Sequence, residues 1–223
     1  MIEEILNKLK SIEPEYTTEL PCAKKVVSYS PFKIKDEKTL ALISEEKHIG
    51  IILKNLCALI KSCTSEKNPE NLSLCDLEYL FLQLRAKSVE EKINLVLDQI
   101  PPITFAVNIN EIKIKDGLLN QRLVLSNSIE VDLQQPKVKD YFDLSEINES
   151  ELLSKAIKAI TIDKHRYEIS ILKTKEIVTI LDELQIKHNR QLKEFLNNAP
   201  KLTYLVETES EPILIEGFLR FFI

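Results

Sequence analysis

The sequence predicts an α+β protein, with N-terminal helices, a central antiparallel β meander and C-terminal helices that end in a short β hairpin. Three observations lead there. Apolar residues recur at helical spacing as far as residue 88, alternate with polar ones between residues 93 and 133, and return to helical spacing from residue 149. Such a helix, strand, helix order along a chain is the pattern of segregated elements rather than of alternating βαβ units.

Residues 1–10 read as a short amphipathic helix with Ile2, Ile5, Leu6 and Leu9 on one side, followed by a polar stretch from 11 to 20 that contains Pro14 and reads as a linker. A strand is expected over residues 25–30, ended by Pro31. A helix then starts near Asp36, with Leu40 and Ile43 as its apolar positions. Another runs over 48–63 and carries Ile51, Ile52, Leu56, Leu59 and Ile60. Asn68-Pro69 separates it from the most informative segment, residues 73–88. There Leu77, Leu80, Phe81 and Leu84 share one helical face, and Tyr79, Leu82 and Ala86 share another, so most of the circumference should be buried. Ser73 with Asp76 three residues later resembles a capping box, and Arg85, Lys87 and Ser88 supply cationic and polar groups to the C-terminus, where the helix dipole favours them.

After Ser88 the period becomes two. Ile93, Leu95 and Leu97, then Ile103, Phe105, Val107 and Ile109, then Ile112 and Ile114, Leu123 and Leu125, and Ile129, Val131 and Leu133 describe antiparallel strands with one covered face. The phase shift between Ile109 and Ile112 predicts a bulge or tight turn near Asn110 and Glu111. From Glu149, one helical stripe is read through Leu152, Leu153, Ala156, Ile157 and Ile160, and a second through Ile177, Ile180, Leu181 and Leu184. A third helix carries Leu192, Phe195 and Leu196 before Pro200. Two strands, near 202–206 and 213–215, should pair across Ser210-Glu211-Pro212. The expected organisation is an arm and linker (1–20), a mainly helical segment (21–92), a β segment (93–142) and a C-terminal helical segment with its hairpin (143–223); residues 21–223 are compatible with one compact domain.

Composition narrows the function. With 223 residues, 44% hydrophobic and 29% charged, the chain reads as an ordinary soluble protein long enough to bury a sizeable core. Its apolar runs are too short for a membrane span, and the N-terminus lacks the apolar stretch of a signal peptide, so synthesis inside the cell and no membrane partner are expected. A formal net charge of -5 argues against nucleic acid as a partner. Only three glycines, Gly50, Gly117 and Gly217, are present, so neither a P-loop nor a dinucleotide-binding turn can be written.

Catalytic chemistry finds no pattern. His48, His165 and His188 form no ligand spacing, and four cysteines at 22, 57, 63 and 75 form no C-x-x-C pair and read as reduced core thiols. The acidic pairs Glu45-Glu46, Glu90-Glu91 and Asp182-Glu183 are neighbours in sequence, which on a helix do not share a face. No catalytic residue, cofactor, metal or small-molecule substrate is expected. Three places stand out instead as candidate partner-binding residues: the helix face of Ile2, Ile5, Leu6 and Leu9; the corner of Arg85, Lys87 and Ser88; and the closing segment with Phe218, Phe221 and Phe222, too apolar to stay wet. For the corner, helix capping is the competing account; for the closing segment, packing inside the protein is.

The segment Asp-Leu-Glu-Tyr-Leu-Phe-Leu-Gln-Leu-Arg-Ala-Lys-Ser-Val from Asp76 resembles the signature of the baseplate hub assembly proteins of T-even-type contractile-tailed phages. The order and approximate spacing of Pro31-Phe32-Lys33-Ile34-Lys35-Asp36-Glu37-Lys38, Val131-Asp132-Leu133, Pro200-Lys201-Leu202 and Gly217-Phe218-Leu219 are similar to that family as well, over roughly residue 20 to 223. Two departures stand against it. Members often carry Gly after the Lys-Ser-Val, where this chain has Glu90, and cysteines in the later β segments, where it has none beyond Cys75. The resemblance implies a non-enzymatic baseplate hub protein that acts through contacts with other hub proteins, located in the virion tail or in the host cytoplasm during assembly. A transient assembly chaperone absent from the mature virion fits the same resemblance. A small enzyme with a dispersed active site and a nucleic-acid-binding accessory protein are the competing classes; they require a concavity lined by polar groups and a basic stripe, respectively.

Overall fold

The computed structural model describes residues 1–97, 103–143, 149–207 and 212–217. Among these, seven α-helices and eleven strands in small antiparallel sheets confirm the α+β class. The elements, in chain order, are α1 (Ile2–Ser11), β1 (Tyr16–Glu19), β2 (Val26–Tyr29), α2 (Ile34–Glu45), α3 (Ile49–Cys63), α4 (Leu74–Ser88), β3 (Lys92–Leu97), β4 (Ile103–Asn108), β5 (Lys113–Lys115), β6 (Asn120–Val124), β7 (Ile129–Gln134), α5 (Glu149–Ala156), β8 (Ile157–Ile162), β9 (His165–Glu168), α6 (Thr174–Asp182), α7 (Ile186–Asn197), β10 (Lys201–Val206) and β11 (Ile213–Glu216).

Helix α4 lies between two apolar clusters, one on each of the faces its sequence defines. Leu77, Leu80, Phe81 and Leu84 join Leu53, Leu56 and Ile60 of α3, Ile43 of α2 and Val27 and Tyr29 of β2. Cys75, Leu82 and Ala86, with Tyr79 at the edge, join Ile93 of β3, Val107 of β4 and Leu202, Val206 and Ile215 of the C-terminal hairpin. Leu80 is fully buried and Phe81 is 4% exposed. A third cluster fills the space between the sheet β6-β7-β8-β9 and the C-terminal helices, with Leu123, Val131, Leu133, Leu153, Ile177, Leu192 and Phe195. Helix α5 links it to the first, since Leu152 packs in one and Leu153 in the other. The Gln135 amide reinforces that seam by donating to the Phe195 carbonyl at 2.6 Å.

The expected cap at the head of α4 is present, with one change. Ser73 Oγ accepts from Asp76 N–H at 3.1 Å, but the Asp76 carboxylate turns away from its own helix and accepts from Cys22 N–H at 2.7 Å and Ala23 N–H at 3.1 Å. It therefore pins the turn between β1 and β2 onto α4. Burial pushes the Asp76 carboxyl up, and the N–H groups of Cys22 and Ala23 with the Ser73 hydroxyl oppose that only in part.

Tyr16–Glu19 lies inside the stretch read as a polar linker, and it pairs antiparallel with β2, Tyr16 opposite Tyr29. Its Thr-Thr centre is β-prone but has no apolar alternation, because only every second residue is even half-buried. The antiparallel strands of the central segment are distributed among several sheets. β3 pairs β4, β5 crosses to β10, and β6 and β7 begin the four-stranded sheet. A 3₁₀ turn at Ile109–Glu111, capped by Asn108 Oδ1 accepting from Asn110 N–H at 3.0 Å, redirects the chain where the phase shift predicts it.

One helical stripe requires correction. Ile157 and Ile160 belong to β8, not to the helix of Leu152, Leu153 and Ala156, which ends at Ala156. The run Ile-Lys-Ala-Ile-Thr-Ile is dominated by β-branched side chains and finds an open partner edge on β7, with Val131 opposite Ile160. β9 was not expected either. It returns through a two-residue turn at Asp163 and Lys164, both with positive φ (47° and 70°), without the glycine that usually signals such a hairpin. The C-terminal hairpin forms as expected, Val206 opposite Ile213, with its connecting Ser210 and Glu211 outside the described residues.

Gly50 brings α3 against the backbone of the 3₁₀ turn Val138–Tyr141, where an added Cβ would lie 2.2 Å from the Phe142 carbonyl oxygen. Gly50→Ala should therefore destabilise the protein by about 1–3 kcal/mol in denaturant unfolding. Asp76→Ala should cost about 1–3 kcal/mol by orphaning the Cys22 and Ala23 donors. An unchanged unfolding midpoint in either variant would show that the contact is not formed.

Candidate functional site

The three places singled out in the sequence fall at different depths. On α1, Ile2, Ile5 and Leu9 are 71%, 54% and 55% exposed, so these apolar side chains of the helix are open to solvent. Ile12 continues it at 67% exposed. Leu6 belongs to α1, but its side chain is outside the described residues, as are Phe218, Phe221 and Phe222 altogether.

The corner at the end of α4 separates into structural and surface parts. Ser88 Oγ donates to the Leu84 carbonyl at 2.6 Å and accepts from Phe32 N–H at 2.7 Å, holding the segment before α2 against α4. Phe32 then stacks on Phe81, ring centroids 5.7 Å apart. Arg85 is half-buried, and that burial pulls its guanidinium below its ordinary value, opposed by nearby Glu90. The Arg85 carbonyl accepts the Val89 N–H at 2.9 Å, closing the helix. Lys87 points outward, bonds Glu91 at 3.0 Å and lies over the Tyr16 ring, 5.8 Å from its centroid.

Tyr16 opens β1, only a few residues beyond α1, and just before it Glu13 pairs with Lys33 at 2.8 Å. Tyr16 also stacks on Tyr29 at 5.6 Å. The root of the N-terminal arm is thus fastened beside the Lys87 corner by an ion pair, a cation-π contact and an aromatic contact. Glu13, Tyr16 and Lys33 went unread in the sequence. Partners twenty to seventy residues apart leave no periodic trace in it.

A concavity of about 590 Å³ opens elsewhere, between α3, the head of α4, α5, the end of α7 and the C-terminal hairpin. Ile49, Leu53, Leu152 and Leu196 make much of its wall, and Glu78, Gln135, Tyr141 and Lys201 add polar groups. Neither His165 nor Lys87 lines it. Two further carboxylates at its rim are engaged, Glu149 with Lys193 at 2.5 Å and Glu216 with Lys115 at 2.9 Å. Burial, then Glu78 and Asp140, push the Tyr141 phenol up to about 12, which keeps it a neutral hydrogen-bond donor. Among the described residues no group of three or more His, Cys, Asp or Glu is placed to hold a metal ion. His48, His165 and His188 remain apart, on the lead into α3, on β9 and on α7. No helix among the described residues is long and apolar enough to cross a membrane.

The surface electrostatics are those of paired charges. On the outer face of the four-stranded sheet Asp132 receives Arg122 at 2.7 Å and also pairs with Arg166, which reaches Glu168 at 2.7 Å. The two arginines hold the Asp132 carboxyl below the usual carboxylate range. No open basic stripe arises from these arginines, since each is matched by acids.

The family match sets the class, a phage baseplate protein. The chain belongs to the family described as T4 bacteriophage base plate protein, which matches residues 13–223. Membership covers nearly the whole chain and implies a place in the tail baseplate of the virion, among other phage structural proteins. No curated protein and no solved structure matched.

Glu66, 5% exposed, anchors the turn after α3 and provides a pH test. Burial opposes its ionisation, but Lys25 at 2.7 Å and Asn68 N–H at 2.8 Å outweigh it and hold the carboxyl below its ordinary value. A depressed folded-state pKa contributes stability fully above the unfolded value of about 4.3 and loses it as pH falls through the folded one. Acidification from pH 7 to 3 should therefore lower the melting temperature of the native protein more than that of a Lys25→Met, Glu66→Gln variant. Equal losses would remove Glu66 from the acid sensitivity.

Proposed function

We propose that this chain is a non-enzymatic hub component of the baseplate that promotes hub assembly through protein–protein contacts, with α1 as its docking element. The observation that carries this reading is the exposed apolar stripe of Ile2, Ile5 and Leu9 on a helix whose root is fastened beside the Lys87 corner. A ten-residue helix is marginal by itself in water and gains most from laying its apolar face into a partner's groove. The Lys87 and Arg85 surface beside that root is the polar margin of the same contact. Composition motivates Phe218, Phe221 and Phe222 as a second contact element. The acidic net charge and the paired arginines disfavour nucleic acid as the partner.

Deletion of residues 1–12 tests the reading. The shortened protein should melt within about 2 °C of the full chain, because the removed apolar side chains contribute little burial. Its co-purification with baseplate hub proteins should fall at least tenfold, and Ile5→Glu should reproduce much of that loss. Full-stoichiometry co-purification of both variants would move the interface away from α1.

A further inference from the structure

The turn after β1 sets a cysteine against the first turn of α4. Cys22 N–H donates to Asp76 at 2.7 Å, Cys75 immediately precedes Asp76, and both cysteines contribute to the same apolar cluster, Cys75 buried and Cys22 half-buried. Each thiol acts on the ionisation of the other. Cys22 also lines a cleft of about 190 Å³ with Ala23, Ser73 and Asp76, which opens it to small solutes; Cys75 does not line that cleft. The remaining cysteines stand apart on α3, where Cys63 donates to Asp36 at 3.7 Å and burial pushes the Cys57 thiol up to about 12.

We propose that Cys22 and Cys75 form a reversible disulfide site, oxidised by a peroxide and reduced by small thiols, that fastens the β1–β2 turn covalently to the head of α4.

The surrounding groups assign the order of events. Ser73 Oγ accepts from Asp76 N–H at 3.1 Å and lines the same cleft as Cys22. The neighbouring Cys75 thiol, then Ser73, hold the Cys22 thiol below its ordinary value against burial and Asp76, while the nearby Cys22 thiol and burial push Cys75 up. Cys22 is the attacking thiolate. It attacks one peroxide oxygen, the O–O bond breaks, and the departing hydroxide takes up a proton, leaving a sulfenic acid on Cys22. The Cys75 sulfur then attacks the sulfenic sulfur, the S–O bond breaks, and hydroxide departs as water with the Cys75 proton. Two thiols and one hydrogen peroxide thus give one disulfide and two waters. In a particle outside the cell, where no thiol pool reverses it, the bridge would persist.

The test uses the full chain, reduced, freed of reductant and given one equivalent of hydrogen peroxide before blocking with N-ethylmaleimide and peptide mapping. Two of the four free thiols should be lost, with a Cys22–Cys75 peptide, reversal by dithiothreitol, and a melting temperature raised by roughly 5–10 °C. Cys22→Ser should prevent the bridge, and Cys75→Ser should stop at a dimedone-reactive sulfenic acid on Cys22. Should Cys75→Ser fail to fold, the native chain and Cys22→Ser decide between them. Retention of all four thiols, a bridge to Cys57 or Cys63, or over-oxidation of Cys22 without a bridge would each overturn the proposal.

Discussion

The grip of the Asp76 carboxylate on the Cys22 and Ala23 N–H groups is the contact on which the N-terminal half depends. A buried carboxylate is costly unless hydrogen-bonded, and here the donors come from the turn of the β1–β2 hairpin. By fixing that turn, the carboxylate fixes the β1–β2 hairpin, which places Leu20, Val27 and Tyr29 in the core beside α3 and α4. The same hairpin carries Tyr16 to Lys87, at the root of α1. The acid at the head of α4 thus acts together with the Lys33–Glu13 and Lys87–Tyr16 contacts in holding the root of the arm.

Carboxylates are used this way repeatedly. Asp36 accepts the Lys33 N–H at 2.9 Å at the head of α2, Glu66 the Asn68 N–H, and Asp140 the Lys137 N–H at 2.7 Å before the 3₁₀ turn that Gly50 abuts. Each spends a charged group on backbone donors that helices and turns leave unsatisfied. Acidic residues engaged in such work, or matched by arginine as Asp132 is, are withdrawn from the role of catalytic pairs. The exposed apolar side chains of α1 and the corner with its outward lysine are features suited to association within a baseplate.

Much of this was legible because burial imposes a period. The two faces of α4 follow from Leu77, Leu80, Phe81 and Leu84 against Tyr79, Leu82 and Ala86, and the structure fills both. The turn at Ile109–Glu111 was legible as a slip in alternation. Ile157 and Ile160 misled because a helix entering a strand without a break keeps apolar residues at spacings that both periods share. The neighbouring β7 edge decides for the strand. In the candidate site, the arm's apolar stripe was legible, whereas its root was not, since Glu13 with Lys33 and Tyr16 with Lys87 are pairs between distant segments. The approach of Cys22 to Cys75 is likewise a pairing of distant segments.

By itself the sequence determined the class of the fold, the helical and strand periods of most elements, the cap at Ser73 and the amphipathic character of α1, all of which are local consequences of side-chain spacing and hydrogen-bonding chemistry. Only the tertiary structure decided which strands pair, that β5 crosses to β10, that the carboxylate of Asp76 serves a distant turn, and that the arm emerges beside Lys87. Those choices depend on which backbone donors and apolar edges remain open once the chain has collapsed, and an open edge or donor is a property of the packed arrangement rather than of any stretch of residues.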